Sequence, residues 1–311
     1  MRSGRDSSQG FTLLELLVTM GILLIVLTAA YQSYIHLLRG FVAESSSAQA
    51  QMETVVNTNL LRLDIAHAGY GLAHDLNNRP VAWDNGNKTL DIRSTINNLD
   101  EETLGWVMCN NGTMIQDNSD PSLNTYVFLD RNERYENHGI SDCSALSSSG
   151  TFLGYPYNAS SSPPTGSDNG CTNQTCYKAT YKLSDTQSLD DCAEGTSNLQ
   201  RTINPTPFSG ANWQPVINCV ADWQVAFERD TNGDGTIDTA TTSNVSFSPA
   251  NASQVKQVHV YALAQEGSYE RDYTFSGSTS MDGVSLSLPG TSEADHYRWK
   301  IIKMSITPQD L

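Results

Sequence analysis

Basic side chains are scarce in this chain: 18 lysines and arginines stand against 34 aspartates and glutamates, for a formal net charge of −16. An envelope that acidic repels a phosphate backbone, which argues against nucleic-acid binding. Catalytic signatures are missing as well. There is no Gly-x-Ser-x-Gly, no His-Glu-x-x-His, no phosphate-binding glycine loop and no dinucleotide fingerprint, and the six histidines are scattered. Acidic pairs such as Glu101-Glu102 and Asp190-Asp191 read as solvated charges. Neither an enzymatic activity nor an organic cofactor is expected. The most informative absence is local: Leu16 through Leu38 contains no Lys, Arg, Asp or Glu.

As a helix that stretch is roughly 35 Å long, enough to cross a hydrocarbon core of about 30 Å, and it is too apolar for one face of a soluble helix. A membrane span over about 13–38 is expected. A cleaved secretory signal fits less well, because the apolar run is long and Thr28-Ala29-Ala30 is the nearest approach to a small-x-small site. The small residue instead precedes the run, at Gly10, behind a hydrophilic leader carrying Arg2 and Arg5. Cleavage there keeps the helix, and the basic leader directs the long C-terminal part to the exported side. Glu15 is the anomaly. A carboxylate at the start of an apolar span needs a partner, and cleavage behind Gly10 would put the new α-amino group of Phe11 about one helical turn away.

The leader ending in Gly10, followed by Phe11-Thr12-Leu13-Leu14-Glu15-Leu16-Leu17 and the long apolar helix, resembles the type IV prepilin family. The resemblance implies cleavage between Gly10 and Phe11 by a prepilin peptidase, N-methylation of Phe11, and pairing of Glu15 with the terminal amine of a neighbouring pilin. It also implies an α+β pilin fold: a long N-terminal helix whose second half packs on an antiparallel β-sheet head with disulfide-bearing loops. Residues 1–10 are then a leader, 11–70 the pilin helix, and 71–311 an exported head. Gln32 stands where major pilins often carry a kinking proline, which leans toward a minor pilin or pseudopilin. The helix ending Arg62-x-x-Ile65-x-x-Ala68-Gly69-Tyr70 resembles PilW-like minor pilins.

The implied role is a minor pilin, held in the bacterial inner membrane with a periplasmic head, that then helps prime or cap a type IV pilus at or near its tip. A minor pseudopilin of a type II secretion system is the alternative, and a tip adhesin the second.

Beyond Phe41 the helical pattern turns amphipathic, with Ala48, Met52, Val55 or Val56, Leu60, Leu63 and Ala66 expected to face a sheet. Gly69 and Gly71 are placed to end the helix in left-handed geometry. Strands are expected at 103–108, 125–129, 216–227, 255–264 and 297–306, whereas 147–169 is too polar to reach the core and reads as a surface loop. His67 and His74 read as polar surface, and His259 as a solvent-face strand residue.

The six cysteines, Cys109, Cys143, Cys171, Cys176, Cys192 and Cys219, follow the span and suit up to three disulfides in an exported head. Cys171–Cys176 is the most local candidate pair, and the pairing stays open. Asp230, Asn232, Asp234, Thr236 and Asp238 fall at positions 1, 3, 5, 7 and 9 of a calcium loop with Gly235 at 6. Thr241 replaces the bidentate glutamate at 12 and the flanks are strand-like, so this is no EF-hand. Calcium bound weakly, stiffening the loop, is the expectation; Asn232-Gly233 and Asp234-Gly235 are also favoured turn dipeptides that need no ion.

Overall fold

The computed structural model describes residues 13–73, 80–98, 102–103, 105–118, 125–140, 142–146, 149–156, 176–185, 187, 189–203, 212–241, 254–309 and 311. Its helix α1 spans Leu13–Ala66. Two compact units divide the chain, Met1–Met52 and Glu53–Leu311.

The first unit holds the amino-terminal part of α1. Leu and Ala are its commonest residues and favour helix, and the apolar side chains from Leu13 to Leu27 are exposed, Leu13 at 81% and Ile25 at 72%. Leu13–Ile35 is long and apolar enough to cross a membrane.

The second unit opens with the last turns of α1. Leu61, Ile65 and Ala68 recur on one stripe and are fully buried. This corrects the expected inward stripe, since Leu63 is 37% exposed and Leu60 half-buried. One residue of displacement rotates a helix by about 100°, and the true stripe includes Asp64, which the hydrophobic pattern discounts. The helix stops where Gly69 and Gly71 take φ of +89° and +72°. Gly69 N–H donates to the Arg93 carbonyl at 2.8 Å, and Gln309 N–H donates to the Ala66 carbonyl at 2.9 Å, giving a terminal helix carbonyl its partner.

The strands follow in chain order: β1 (Val81–Asp84), β2 (Thr89–Ser94), β3 (Ile96–Asn97), β4 (Glu102–Thr103), β5 (Val107–Asn110), β6 (Thr113–Asp117), β7 (Tyr126–Leu129), β8 (Tyr135–Ile140), β9 (Thr151–Pro156), β10 (Tyr177–Leu183), β11 (Ser197–Ile203), β12 (Gln214–Arg229), β13 (Thr239–Thr241), β14 (Val255–Glu266), β15 (Ser280–Met281), β16 (Val284–Ser285) and β17 (Arg298–Ile306). The main sheet is antiparallel, in the order β1-β2-β10-β11-β12-β14-β17, with β13 also paired to β12. A second antiparallel sheet runs β6-β5-β9-β7-β8.

Alternation on β12 and β14 serves two cores. Trp223, Val225, Phe227, Val258, Val260 and Ala262 join the cluster beneath Leu61 and Ile65, where Trp83 meets Trp223 edge-on at 4.9 Å. On the opposite face Tyr261, Leu263 and Trp299 pack with Val284 of β16 and with Leu286 just beyond it. Both faces are therefore buried along much of β14, which explains its nearly continuous apolar run.

The segment expected as a surface loop over 147–169 is corrected in part. Its residues 151–156 form β9, between β5 and β7, with Phe152 and Tyr155 buried. Gly154 permits this, because a Cβ there would lie 2.6 Å from the Phe128 ring. Among the described residues two disulfides have both partners in view: Cys109–Cys143 joins β5 to the turn at Cys143–Ala145, and Cys192–Cys219 joins the loop before β11 to β12. Cys176 is disulfide-bonded too, while Cys171 lies outside the described residues.

Candidate functional site

Four places gather the residues singled out above: the start of α1, the end of α1, the Asp230–Asp238 turn and the outer face of β14.

At the start of α1, Glu15 falls in the first turn, where the amino-terminal end of the helix dipole favours a negative charge. Its side chain is exposed on the helix surface among Leu13, Leu14, Leu16 and Leu17. The two threonine hydroxyls in Leu13–Ile35 are turned back onto the helix: Thr19 donates to the Leu16 carbonyl at 3.0 Å and Thr28 to the Leu24 carbonyl at 2.5 Å. Each is satisfied without water, as a helix in hydrocarbon requires. Gly10 and Phe11 lie outside the described residues.

At the end of α1, Asp64 points into the sheet. Its Oδ2 accepts from Arg201 Nε at 2.7 Å and from the Tyr181 hydroxyl at 2.6 Å, and its Oδ1 accepts from Asn98 Nδ2 at 2.8 Å. Asn98 Oδ1 in turn meets His67 Nδ1 at 2.8 Å. Both members of the ion pair are buried. Burial pushes the Tyr181 hydroxyl well above its usual pKa, and the Asp64 charge adds to that. Burial works against the Arg201 charge, yet Asp64 overrides it and holds the guanidinium pKa above its ordinary value. A carboxylate on the helix thus selects its rotation over the sheet. The signal for it was a lone Asp in an apolar stripe, with Arg201 remote in sequence.

The Asp230–Asp238 turn connects β12 to β13. Asp230 is 4% exposed, and its carboxylate accepts from Gly233 N–H at 2.6 Å and Gly235 N–H at 2.8 Å. Asp238 Oδ2 accepts from the Thr231 and Asn232 amides, and Asn232 Nδ2 donates to Asp234 at 3.2 Å and Asp238 at 3.3 Å. Thr236 donates through N–H and hydroxyl to Asp234, holding that carboxyl below its usual pKa. All five expected oxygen-bearing residues share this one turn. Among the described residues, however, no three His, Cys, Asp or Glu side chains stand as a metal-holding group.

On the outer face of β14, His259 is only 9% exposed, which corrects its reading as a solvent-face residue. Its Nδ1 lies 2.8 Å from Ser305 Oγ on β17 and its Nε2 3.0 Å from Glu228 Oε1 on β12. Beside it Lys303 Nζ contacts Asp282 at 2.6 Å, and the Tyr261 hydroxyl donates to the same carboxylate at 3.1 Å. Burial first, then Asp282, pushes Tyr261 up to about 12.

Comparison with known proteins bears on the first of these places. Residues 5–31 match the model described as the prokaryotic N-terminal methylation motif. No curated protein matches the chain. Among solved structures, a type IV-like pilin from Thermus thermophilus is similar over 84% of this chain and 95% of its own, at 11% identity and a TM-score of 0.37.

Proposed function

From a chain that opens on a prepilin-type N-terminal methylation motif over residues 5–31, we propose a minor pilin of a type IV pilus, built into the filament through α1. The observation that carries the proposal is the exposed apolar surface of Leu13–Ile35 with Glu15 in its first turn. Apolar area of that extent needs lipid or other helices around it, and an acid within it needs a cation. Before assembly the surroundings are the inner membrane. In the filament they are the α1 segments of other pilins, with the α-amino group of Phe11 on a neighbour as the cation for Glu15.

A prepilin peptidase cutting between Gly10 and Phe11 exposes that amine, and the head faces the periplasm. A head that extends from Glu53 to Leu311 fits poorly inside a tightly packed shaft, which favours a place at or near the tip and a part in priming or capping assembly. The role is structural rather than enzymatic. Calcium at Asp230, Asn232, Asp234, Thr236 and Asp238 belongs to the same proposal, as a stiffener of the turn after β12; three carboxylates within nine residues favour a cation there.

Deletion of the gene, with pili counted and type II secretion assayed in the same strain, tests the assignment. Lost or sparse pili with normal secretion is the expected result. Normal pili with failed secretion would instead identify a minor pseudopilin.

A further inference from the structure

Glu228, His259 and Ser305 form a line across three adjacent strands. The register of β14 and β17 sets His259 directly opposite Ser305, and that of β12 and β14 sets Ala226 opposite His259, so Glu228 lies two residues along on the same face. One imidazole nitrogen is within hydrogen-bond reach of a hydroxyl and the other of a carboxylate, at 2.8 and 3.0 Å. With Nε2–H assigned as the donor to the Glu228 carboxylate, the Nδ1 lone pair is left to accept from the Ser305 hydroxyl, the tautomer in which imidazole acts as a base. Nucleophile, base and orienting acid in hydrogen-bonded order is the arrangement that activates a hydroxyl. Ser305, the nucleophile, is open to solvent, while His259 is buried and Glu228 partly covered.

The geometry points to Ser305 as a self-acylating serine, one that takes an acyl group from a small activated ester. Ser305 Oγ attacks the carbonyl carbon as its proton moves to His259 Nδ1. The new Oγ–C bond forms, the ester C–O bond breaks, and the proton passes from Nδ1 to the departing alkoxide. The products are an O-acyl serine on β17 and a free alcohol, with no oxidant or reductant consumed. His259 contacts the reacting oxygen and is the base; Glu228 is a positioning residue that holds the imidazole in its basic tautomer. Because Ser305 stands on an open face, water meets the charge on the attacked carbonyl oxygen, which restricts donors to those with good leaving groups. This reactivity modifies the chain itself and is independent of assembly through α1.

The test treats the full-length protein in detergent with 4-nitrophenyl acetate and maps acetylated peptides over time. Ser305 is expected to acetylate about 10²-fold faster than Ser285, an exposed strand serine in the same unit. His259→Gln should remove that advantage, and Glu228→Gln should slow labelling about tenfold at an unchanged melting temperature. A rate at Ser305 no greater than at Ser285 in the wild-type chain overturns the inference, and that comparison needs no variant to fold. Equal labelling in a folded His259→Gln protein overturns it as well.

Discussion

The Asp64 carboxylate and the Arg201 guanidinium meet at 2.7 Å with both side chains almost wholly buried, joining the last turns of α1 to β11. Such a pair specifies an arrangement more than it stabilises one, because desolvation offsets much of the attraction. Removing one partner leaves a buried charge alone. Asp64→Ala should therefore lower stability by roughly 3–5 kcal/mol, whereas Asp64→Leu with Arg201→Met should recover most of that loss. Chemical denaturation of the three proteins checks this; equal losses in the single and double variants would contradict it.

Alkaline pH should weaken the head through Tyr181 and Tyr261. Both hydroxyls have raised pKa values in the fold, Tyr261 at about 12, so the folded state keeps protons that the unfolded chain releases. Their contribution is fully present below the ordinary tyrosine pKa of about 10 and declines as pH rises beyond it. Stability measured across that range should fall with pH, and Tyr181→Phe should make the fall shallower. An unchanged slope would separate Tyr181 from the effect.

Gly71 is held at φ +72°, and a Cβ there would lie 2.5 Å from Thr95 Oγ1 and 3.0 Å from the Tyr155 ring. Gly71→Ala combines strained backbone with overlap, and should destabilise by about 1–3 kcal/mol. Thermal melting tests it, with Gly21→Ala as the control, since a Cβ at Gly21 meets nothing within 4 Å.

Calcium should raise the melting temperature of the wild-type protein relative to a chelator, and Asp234→Ala should abolish the difference. Identical wild-type curves in calcium and chelator would remove the metal and leave a turn closed by its own hydrogen bonds.

Long-range order in the sequence was legible wherever one signal dominated. The charge-free run from Leu16 to Leu38 gave the apolar helix, Gly69 and Gly71 gave its end, and strands β7, β12, β14 and β17 lay close to their apolar runs. Sites made by pairing across strands were not. Ser305 and His259 stand 46 positions apart, and Asp64 and Arg201 137 apart, so neither contact leaves a local pattern. Strand β9 hid because it lies within a segment, 147–169, too polar as a whole to read as core, and Gly154, which the close approach of Phe128 demands there, adds no apolar signal. His259 read as solvated because alternation on β14 suggested one buried face, whereas the β15–β16 hairpin buries part of the second.

Substitution of Glu15 by Val tests the central claim most directly. Membrane insertion should persist, because the apolar run from Leu16 is untouched, and incorporation into pili, measured by immunoblot of sheared filaments against the membrane fraction, should fall to background. Incorporation of the Glu15→Val protein at the wild-type level would contradict the account, since α1 would then join the filament without its carboxylate.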